Sequence, residues 1–187
     1  MSKSKMIWIG AVVVIVLILG YSWTTYNSLV TTNENVDNQW AQVETQYQRR
    51  LDLIPNLVNS VKGIMSQEQT VFGAIADART RYAGAITVND KAIAASQVES
   101  AFGRLLAVME NYPELKSAEN VQTLMAQLEG TENRVSVERK RFNDMVRDFN
   151  LMTKRFPSSV IASMFGFSEK AYFESAPGAE NAPAVEF

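Results

Sequence analysis

An unbroken heptad pattern between Val121 and Thr153 restricts this chain to a helical fold more strongly than any other feature of the sequence. Ten positions recur at alternating steps of four and three residues, which places them along one side of a helix. They are Val121, Met125, Leu128, Glu132, Val135, Arg139, Phe142, Val146, Phe149 and Thr153. The pattern predicts a long helix over residues 117–156 that belongs to a helical bundle.

Four polar residues stand in or beside this seam. Glu132 and Arg139 occupy seam positions where apolar residues are expected. Asn143 and Asn150 are seven residues apart, so they lie on one stripe next to the seam. We expect the Glu132/Arg139 pair and the charged cluster of Arg49, Arg50 and Asp52 to form a semi-buried network of ion pairs that fixes helix register, because partly buried charges of opposite sign satisfy one another.

An uncharged apolar run, residues 6–23, precedes the helical body. Its 18 residues span about 27 Å as a helix, close to the hydrocarbon thickness of a bilayer. Trp8, Tyr21 and Trp23 lie near the two ends of the run, where aromatic side chains favour the membrane interface. The run therefore predicts an uncleaved signal anchor that crosses the membrane once.

The two flanks of this run differ in charge. Lys3 and Lys5 precede it, whereas no lysine or arginine follows it before Arg49. The positive-inside bias therefore favours a short cytoplasmic N-terminus, residues 1–5, and a body on the outer side of the membrane. A cleaved signal peptide stays open as the alternative, with Gly20 and Ser22 as the small residues at a cleavage site.

The other helices are predicted from apolar periodicity and from helix breakers. No glycine or proline lies between Tyr21 and Arg50, so the anchor helix is expected to run straight into the body. Pro55 is expected to kink or break this helix, with Asp52 as a cap three residues earlier. We predict further helices over residues 55–86 and 91–111 (capped by Asn89 or Asp90). With the first body helix and the helix over 117–156, these make four main helices in the body (24–174). We also predict a short helix over 156–167 that caps one end of the bundle, and a disordered tail over 175–187.

Composition removes several kinds of chemistry. The chain has no cysteine and no histidine, so it can form no disulfide or thiolate metal site and lacks the commonest general base. Its net charge is −2, and the cations between Arg134 and Arg141 alternate with acidic residues, which is typical of a solvated helix surface. We therefore expect no enzyme activity, no cofactor, no metal and no nucleic-acid partner.

Three separate parts of the chain resemble one known family. The runs W-A-Q-V-E from Trp40, R-R-L-D-L-I-P-N-L-V from Arg49 and V-K-G from Val61 are followed by Y-P-E-L-K from Tyr112 and by E-N-R-V-S-V-E-R-K-R-F-N-D-M-V-R-D-F-N from Glu132. Residues 156–167 and 172–174 complete the match, which covers about 26–174. This pattern is similar to that of the LemA family, small bacterial membrane-anchored helical proteins. The chain departs from it at Phe142 and Phe149, where the family often has tyrosine.

The resemblance implies an all-α fold, an antiparallel bundle of four main helices with coiled-coil-like seams behind an N-terminal transmembrane helix. It also implies a bacterial membrane protein of uncertain molecular role, whose partners would be membrane proteases or TPM-domain proteins. The resemblance and the motifs together indicate a set of residues with a structural or interaction role. They are Trp40, Arg49, Arg50, Asp52, Pro55, Asn56, Glu132, Asn133, Arg139, Asn143, Asn150, Phe156 and Pro157.

Two functions are consistent with these features. The first is a scaffold or interaction protein of the cell envelope, anchored in the plasma membrane, with the exposed face of the Asn143/Asn150 stripe and the 156–167 end as partner surfaces. The second is a ligand-binding sensor bundle that signals through a membrane partner. Homo-oligomerisation through the seam from Tyr26 to Tyr47 is compatible with both functions.

Overall fold

The protein was analysed as a computed structural model, which describes residues 3–173. Over that range the chain forms six helices and no strand. The helices are α1 (Lys3–Val61), α2 (Gln69–Gly84), α3 (Val88–Met109), α4 (Pro113–Ser117), α5 (Glu119–Lys154) and α6 (Ser158–Met164). The all-α prediction is confirmed. Most of the predicted cytoplasmic N-terminus is described as part of α1, whereas Met1, Ser2, Glu174 and the predicted tail 175–187 lie outside the described residues.

The first helix is longer than the sequence indicated. It runs without interruption for 59 residues and includes Pro55. Of the two alternatives predicted at Pro55, a kink or a break, the break with Asp52 as a cap is therefore wrong, and the kink stays a prediction. Proline deprives the Leu51 carbonyl of its helical donor, but the apolar side chains around it are buried and hold the helix together. The helix ends at Val61, just before Gly63, so the predicted helix over 55–86 is in fact the end of α1, a turn and α2.

The helices that follow start and stop near the predicted residues. α3 begins at Val88, and its cap is Thr87 rather than Asn89 or Asp90. The Thr87 hydroxyl accepts the Asp90 backbone N–H at 3.1 Å and donates to the Asp90 carboxylate at 2.7 Å. This reciprocal arrangement satisfies an N–H group that the helix itself leaves unpaired. α5 covers 36 residues of the predicted long helix.

A glycine turn ends α6. Gly166 adopts a left-handed φ of 76°. The Phe167 N–H donates to the Ala162 carbonyl at 2.9 Å, and the Gly166 N–H donates to the Ser163 carbonyl at 3.4 Å. This is the hydrogen-bond pattern of a Schellman motif, which requires a left-handed residue at that position. The turn fixes the direction in which the chain leaves α6.

The described residues divide into two compact units. The first contains the part of α1 up to Gln39 together with Asp144–Lys170, and the second contains Trp40–Asn143 together with the segment from Ala171. The core of the first unit includes Leu29, Val36, Val146, Phe149 and Ala162. The core of the second unit includes Val43, Ile54, Leu57, Met65, Leu105, Leu115, Leu128, Val135 and Phe142.

The heptad prediction agrees with burial along α5. Val121, Leu128, Val135, Phe142, Val146 and Phe149 are at most 2% exposed, and the other four seam residues are half-buried.

The apolar run at the start of α1 is exposed, in contrast to the apolar seam of α5. Its 18-residue stretch has a mean hydropathy of 2.3 and none of it is buried. By length and composition this stretch could cross a membrane.

Candidate functional site

The motif around Arg49 divides into two faces of α1. Arg50 and Ile54 are buried in the second unit, whereas Arg49, Asp52 and Asn56 are exposed. Helical geometry requires this division, because residues four apart share a face and adjacent residues do not. The motif therefore provides one set of residues for the core and another for the surface.

The buried face contains a charged cluster built on Glu99 of α3. Arg50 forms an ion pair with Glu132 of α5, and its Nη1 is 3.9 Å from Glu99 Oε1. Arg139 Nη1 is 3.9 Å from the same carboxylate oxygen, and the Tyr47 hydroxyl donates to it at 3.4 Å. The structure thus assembles Arg50, Glu132 and Arg139 into the expected network. Asp52 is outside it and accepts a hydrogen bond from Gln48 at 2.8 Å.

Sequence reasoning missed Glu99, the residue that connects this cluster. It follows Val98, which is buried in α3, and nothing in its spacing sets it apart from a solvated glutamate. Only the packing of α3 against α1 and α5 brings it to the two arginines. A search for acidic residues next to the apolar stripe of α3 could have identified it as a candidate partner.

Burial shifts the pKa values of two side chains in this cluster, Arg50 and Tyr47. It lowers the pKa of Arg50, and the neighbouring Glu99 carboxylate and Tyr47 oppose that change. Burial also raises the pKa of the Tyr47 hydroxyl well above its usual range, and Glu99 raises it further. Arg50 Nε is buried and has no hydrogen-bond partner among residues 3–173. The cluster therefore carries a guanidinium that depends on its acidic neighbours, because a buried charge without a partner is costly.

An aromatic box adjoins the cluster and encloses Phe173. The ring of Phe173 lies 6.0 Å from that of Trp40 and stacks at 6.2 Å on that of Tyr47. Arg139 Cζ lies 4.3 Å from the centroid of the same ring, a cation–π distance. Asn143 donates from Nδ2 to the Phe173 carbonyl at 3.0 Å and accepts the Phe173 N–H at 2.8 Å. Phe173 is consequently 4% exposed although it lies beyond the last helix.

Asn150 makes the same pair of bonds within the first unit. It donates to the Lys170 carbonyl at 2.9 Å and accepts the Lys170 N–H at 2.9 Å. Asn150 is 4% exposed and Asn143 is half-buried, so the prediction that these two amides present an exposed face for a partner is wrong. Both side chains hold the extended segment after α6, whose backbone would otherwise lack hydrogen-bond partners.

An open groove lies on the outer face of α1 in the second unit. Arg49, Asp52, Leu53 and Asn56 line one side of it, and α5 supplies the other side with Ala126, Gln127, Gly130, Thr131 and Arg134. The groove has a volume of about 530 Å³. A Cβ on Gly130 would meet no heavy atom within 4 Å outside its own turn of helix, so the groove is open at that point.

The remaining predicted residues lie apart from these features. Pro55 is half-buried inside α1, and Asn133 is exposed on α5. Phe156 is 84% exposed and is followed by Pro157 before α6 begins. No group of three or more acidic residues capable of holding a metal ion occurs between residues 3 and 173.

The fold and these features define a class, namely an all-helical, membrane-associated protein with a single candidate membrane helix in its described part. The chain belongs to the LemA family, whose profile matches residues 39–187. It is also similar to magnetosome proteins MamQ 1 and MamQ 2 of Paramagnetospirillum magneticum and to magnetosome protein MamQ of Magnetospirillum gryphiswaldense. Each is 25% identical over 181 residues, covering 83% of this chain.

The chain spans about two thirds of the length of these curated relatives, since the alignments cover 66% of each of them. None of the three names describes a ligand sensor, so the sensor alternative has no support from the relatives.

Proposed function

We propose that this protein is an interaction or scaffold protein of the bacterial cell envelope. Residues 6–23 anchor it in the plasma membrane, and an antiparallel bundle of its four main helices binds a partner protein. The observation that carries the proposal is the continuity of α1. One unbroken helix contains both the unburied apolar stretch and the motif that lines the groove. The same helix therefore supplies both the proposed anchor and one wall of the groove.

The groove of Arg49, Asp52, Asn56, Gly130 and Arg134 is the proposed partner site. Its polar side chains are exposed and do not belong to the buried charged cluster. Two guanidinium groups line it against one carboxylate, and Gln48 already bonds that carboxylate. Arginine side chains bind carboxylates through paired hydrogen bonds. The occupant that fits this chemistry is a segment of a partner protein that carries acidic side chains.

Photo-crosslinking in native membranes tests this site. We would place a benzophenone amino acid at Gln127, inside the groove, in the full-length protein. We expect a discrete crosslinked product with one membrane or envelope protein, for which a membrane protease and a TPM-domain protein are the candidates. Gly130→Leu should abolish the product, because the added side chain would occupy the groove at a point where a Cβ meets no neighbouring atom.

The matched control is the same probe at Ser136, also exposed on α5. It lies nine positions after Gln127, so it is about 180° around the helix. Equal products at both positions, or a Gln127 product that survives Gly130→Leu, would contradict the groove proposal. A product whose mass is that of two copies of this chain would instead assign the groove to homo-oligomerisation.

We also propose that the N-terminus is cytoplasmic and the helical body extracytoplasmic, as Lys3 and Lys5 favour. The chain has no cysteine, so Ser136→Cys provides a unique label site. An impermeant maleimide should label this variant in intact cells whose outer layer has been permeabilised. Labelling only after lysis of the plasma membrane would reverse the orientation and move the partner search to the cytoplasm.

A further inference from the structure

The end of the first unit exposes an apolar patch that its own core does not use. Phe156 is 84% exposed, Val160 49%, Met164 72% and Phe165 55%. On the other side of the same short helix, Ile161 is 8% exposed and Ala162 1%. Four large apolar side chains grouped in this way exceed the scattered exposure that is normal for a soluble surface. They mark a contact with something outside the chain.

The contacts of this unit show where along α1 the patch lies. Lys170 pairs with Asp37 at 2.6 Å, and Thr32 Oγ1 lies 3.6 Å from Met152 Sδ. The Phe165 ring packs 4.6 Å from the ring of Tyr26. The three contact points on α1, Asp37, Thr32 and Tyr26, lie progressively closer to the apolar run. Tyr26, which contacts Phe165 of the patch, is the nearest of them to that run.

The distance from Tyr26 to the membrane segment is short. Tyr26 comes three positions after Trp23, the last residue of the apolar run, which corresponds to about 4.5 Å of helix. The polar headgroup region of a bilayer is about 5 to 7 Å deep on each side. Trp23 is itself 74% exposed, as expected for an aromatic residue at that level. Phe165 therefore falls within the interfacial layer whenever residues 6–23 cross the membrane.

We propose that Phe156, Val160, Met164 and Phe165 form a second membrane contact, in which α6 lies in the headgroup layer of the bilayer that holds α1. This inference rests on the proposed membrane anchoring of residues 6–23. The Schellman turn at Gly166 supports it, because the turn separates Phe165 on the surface from Phe167, which packs against Phe149 at 6.3 Å. Exposed Arg155, next to Phe156, suits the phosphates of the headgroups. The contact would fix the tilt and rotation of α1 in the bilayer.

Spin-label accessibility in vesicles of phosphatidylcholine and phosphatidylglycerol tests this contact with the purified full-length protein. Ser163→Cys places a label on the exposed side of α6 without removing any patch residue. Leu17→Cys reports on the anchor, and Ser136→Cys on α5 is the aqueous control. We expect the ratio of oxygen to nickel-chelate collisions at Ser163 to lie between the Leu17 and Ser136 values, several-fold above the latter.

A triple variant supplies the causal test. Phe156→Ser, Val160→Ser and Met164→Ser together should shift the Ser163 label to the aqueous value while the Leu17 label keeps its depth. A deep Leu17 label with an aqueous Ser163 label in the unaltered patch would overturn this inference and leave the anchor intact. A Ser163 label shielded from both reagents would overturn it in favour of a second copy covering the patch. An aqueous Leu17 label would overturn the anchor and this inference with it.

Discussion

The charged cluster of the second unit and the apolar patch of the first depart from ordinary burial in opposite directions. One places the guanidinium of Arg50 in a core, at 6% exposure, and the other leaves Phe156 at 84%. The arginines of the charged cluster find their partners within the chain. Arg50 pairs with Glu99 and Glu132, and Arg139 lies over the ring of Phe173. In the apolar patch, no part of residues 3–173 covers most of the surface of Phe156 or Met164, which are 84% and 72% exposed.

This difference separates two kinds of information in the sequence. A buried charge that finds its partners on other helices acts within the chain, where it specifies how the helices pair. An exposed apolar group requires a partner outside the chain. The first kind can be tested by folding measurements on the protein alone, and the second only in the presence of the membrane or another protein.

The strongest test of the closed region is removal of Phe173. Phe173→Ala should lower the free energy of unfolding by about 3 to 5 kcal/mol, because the buried ring fills the box formed by Trp40, Tyr47 and Arg139. Urea denaturation of the full-length protein in micelles, followed by circular dichroism, measures the change. Tyr172→Ala is the matched control, since Tyr172 is 40% exposed, and should change stability by less than about 1 kcal/mol. Equal effects would show that the box is not closed.

Removal of the acidic partners of Arg50 should have the next largest effect. Glu99→Gln combined with Glu132→Gln leaves a buried guanidinium without a carboxylate, at a cost of about 3 kcal/mol. Arg50→Met should cost much less, about 1 kcal/mol, because Glu132 is 44% exposed and can be solvated when its partner is gone. The same denaturation measurement compares the two. A larger loss in Arg50→Met would mean that Arg50 contributes mainly through packing.

The sequence allowed the helices to be predicted better than the contacts between them. Periodicity located the seam of α5, and the uncharged run located the candidate membrane helix. Pro55 misled the prediction because a proline weakens a helix by a few kcal/mol, which the burial of Leu51, Ile54 and Leu57 offsets. Local propensity does not include that tertiary contribution.

The candidate sites were only half predictable for a related reason. The motif identified Arg50, Glu132 and Arg139, but Glu99, the shared partner of the two arginines, lies far away in sequence. The asparagines were recognised by their spacing, yet their side chains bond the backbone of Lys170 and Phe173, whose sequence carries no signal of it. A backbone hydrogen bond does not depend on residue type, so no motif records it.

The asparagine pairs give the next prediction. Asn150→Ala removes two hydrogen bonds and leaves the N–H and C=O of Lys170 without partners, which should cost about 1 to 3 kcal/mol. The loss should be local, so amide hydrogen exchange should accelerate at Lys170 and its neighbours more than in the middle of α5. Asn133→Ala, at an exposed position of the same helix, is the control and should alter neither. Uniform acceleration along α5 would contradict a local role.

A smaller effect is expected at Tyr82, whose buried hydroxyl has no hydrogen-bond partner in the described chain. Burial raises the pKa of Tyr82 above its usual value, and Glu44 raises it further. The unfolded chain therefore loses this proton first, and stability should fall as the pH rises above about 10. Tyr82→Phe should be neutral or stabilising by less than about 1 kcal/mol near neutral pH and should reduce the alkaline loss. An unchanged alkaline slope, with Tyr47 retained as in the parent, would exclude Tyr82 as a contributor.

The smallest effect on stability should come from the apolar patch, and this completes the contrast with the charged cluster. Val160→Ser in micelles should change the free energy of unfolding by less than about 0.5 kcal/mol, because the side chain has little to lose inside the protein. Ile161→Ser, one residue further along α6 and 8% exposed, should cost about 2 to 4 kcal/mol. Comparable losses at the two positions would show that the patch packs within the chain. If Val160→Ser loses almost no free energy of unfolding, packing within the protein does not account for the apolar residue at this position, and the proposed external contact does.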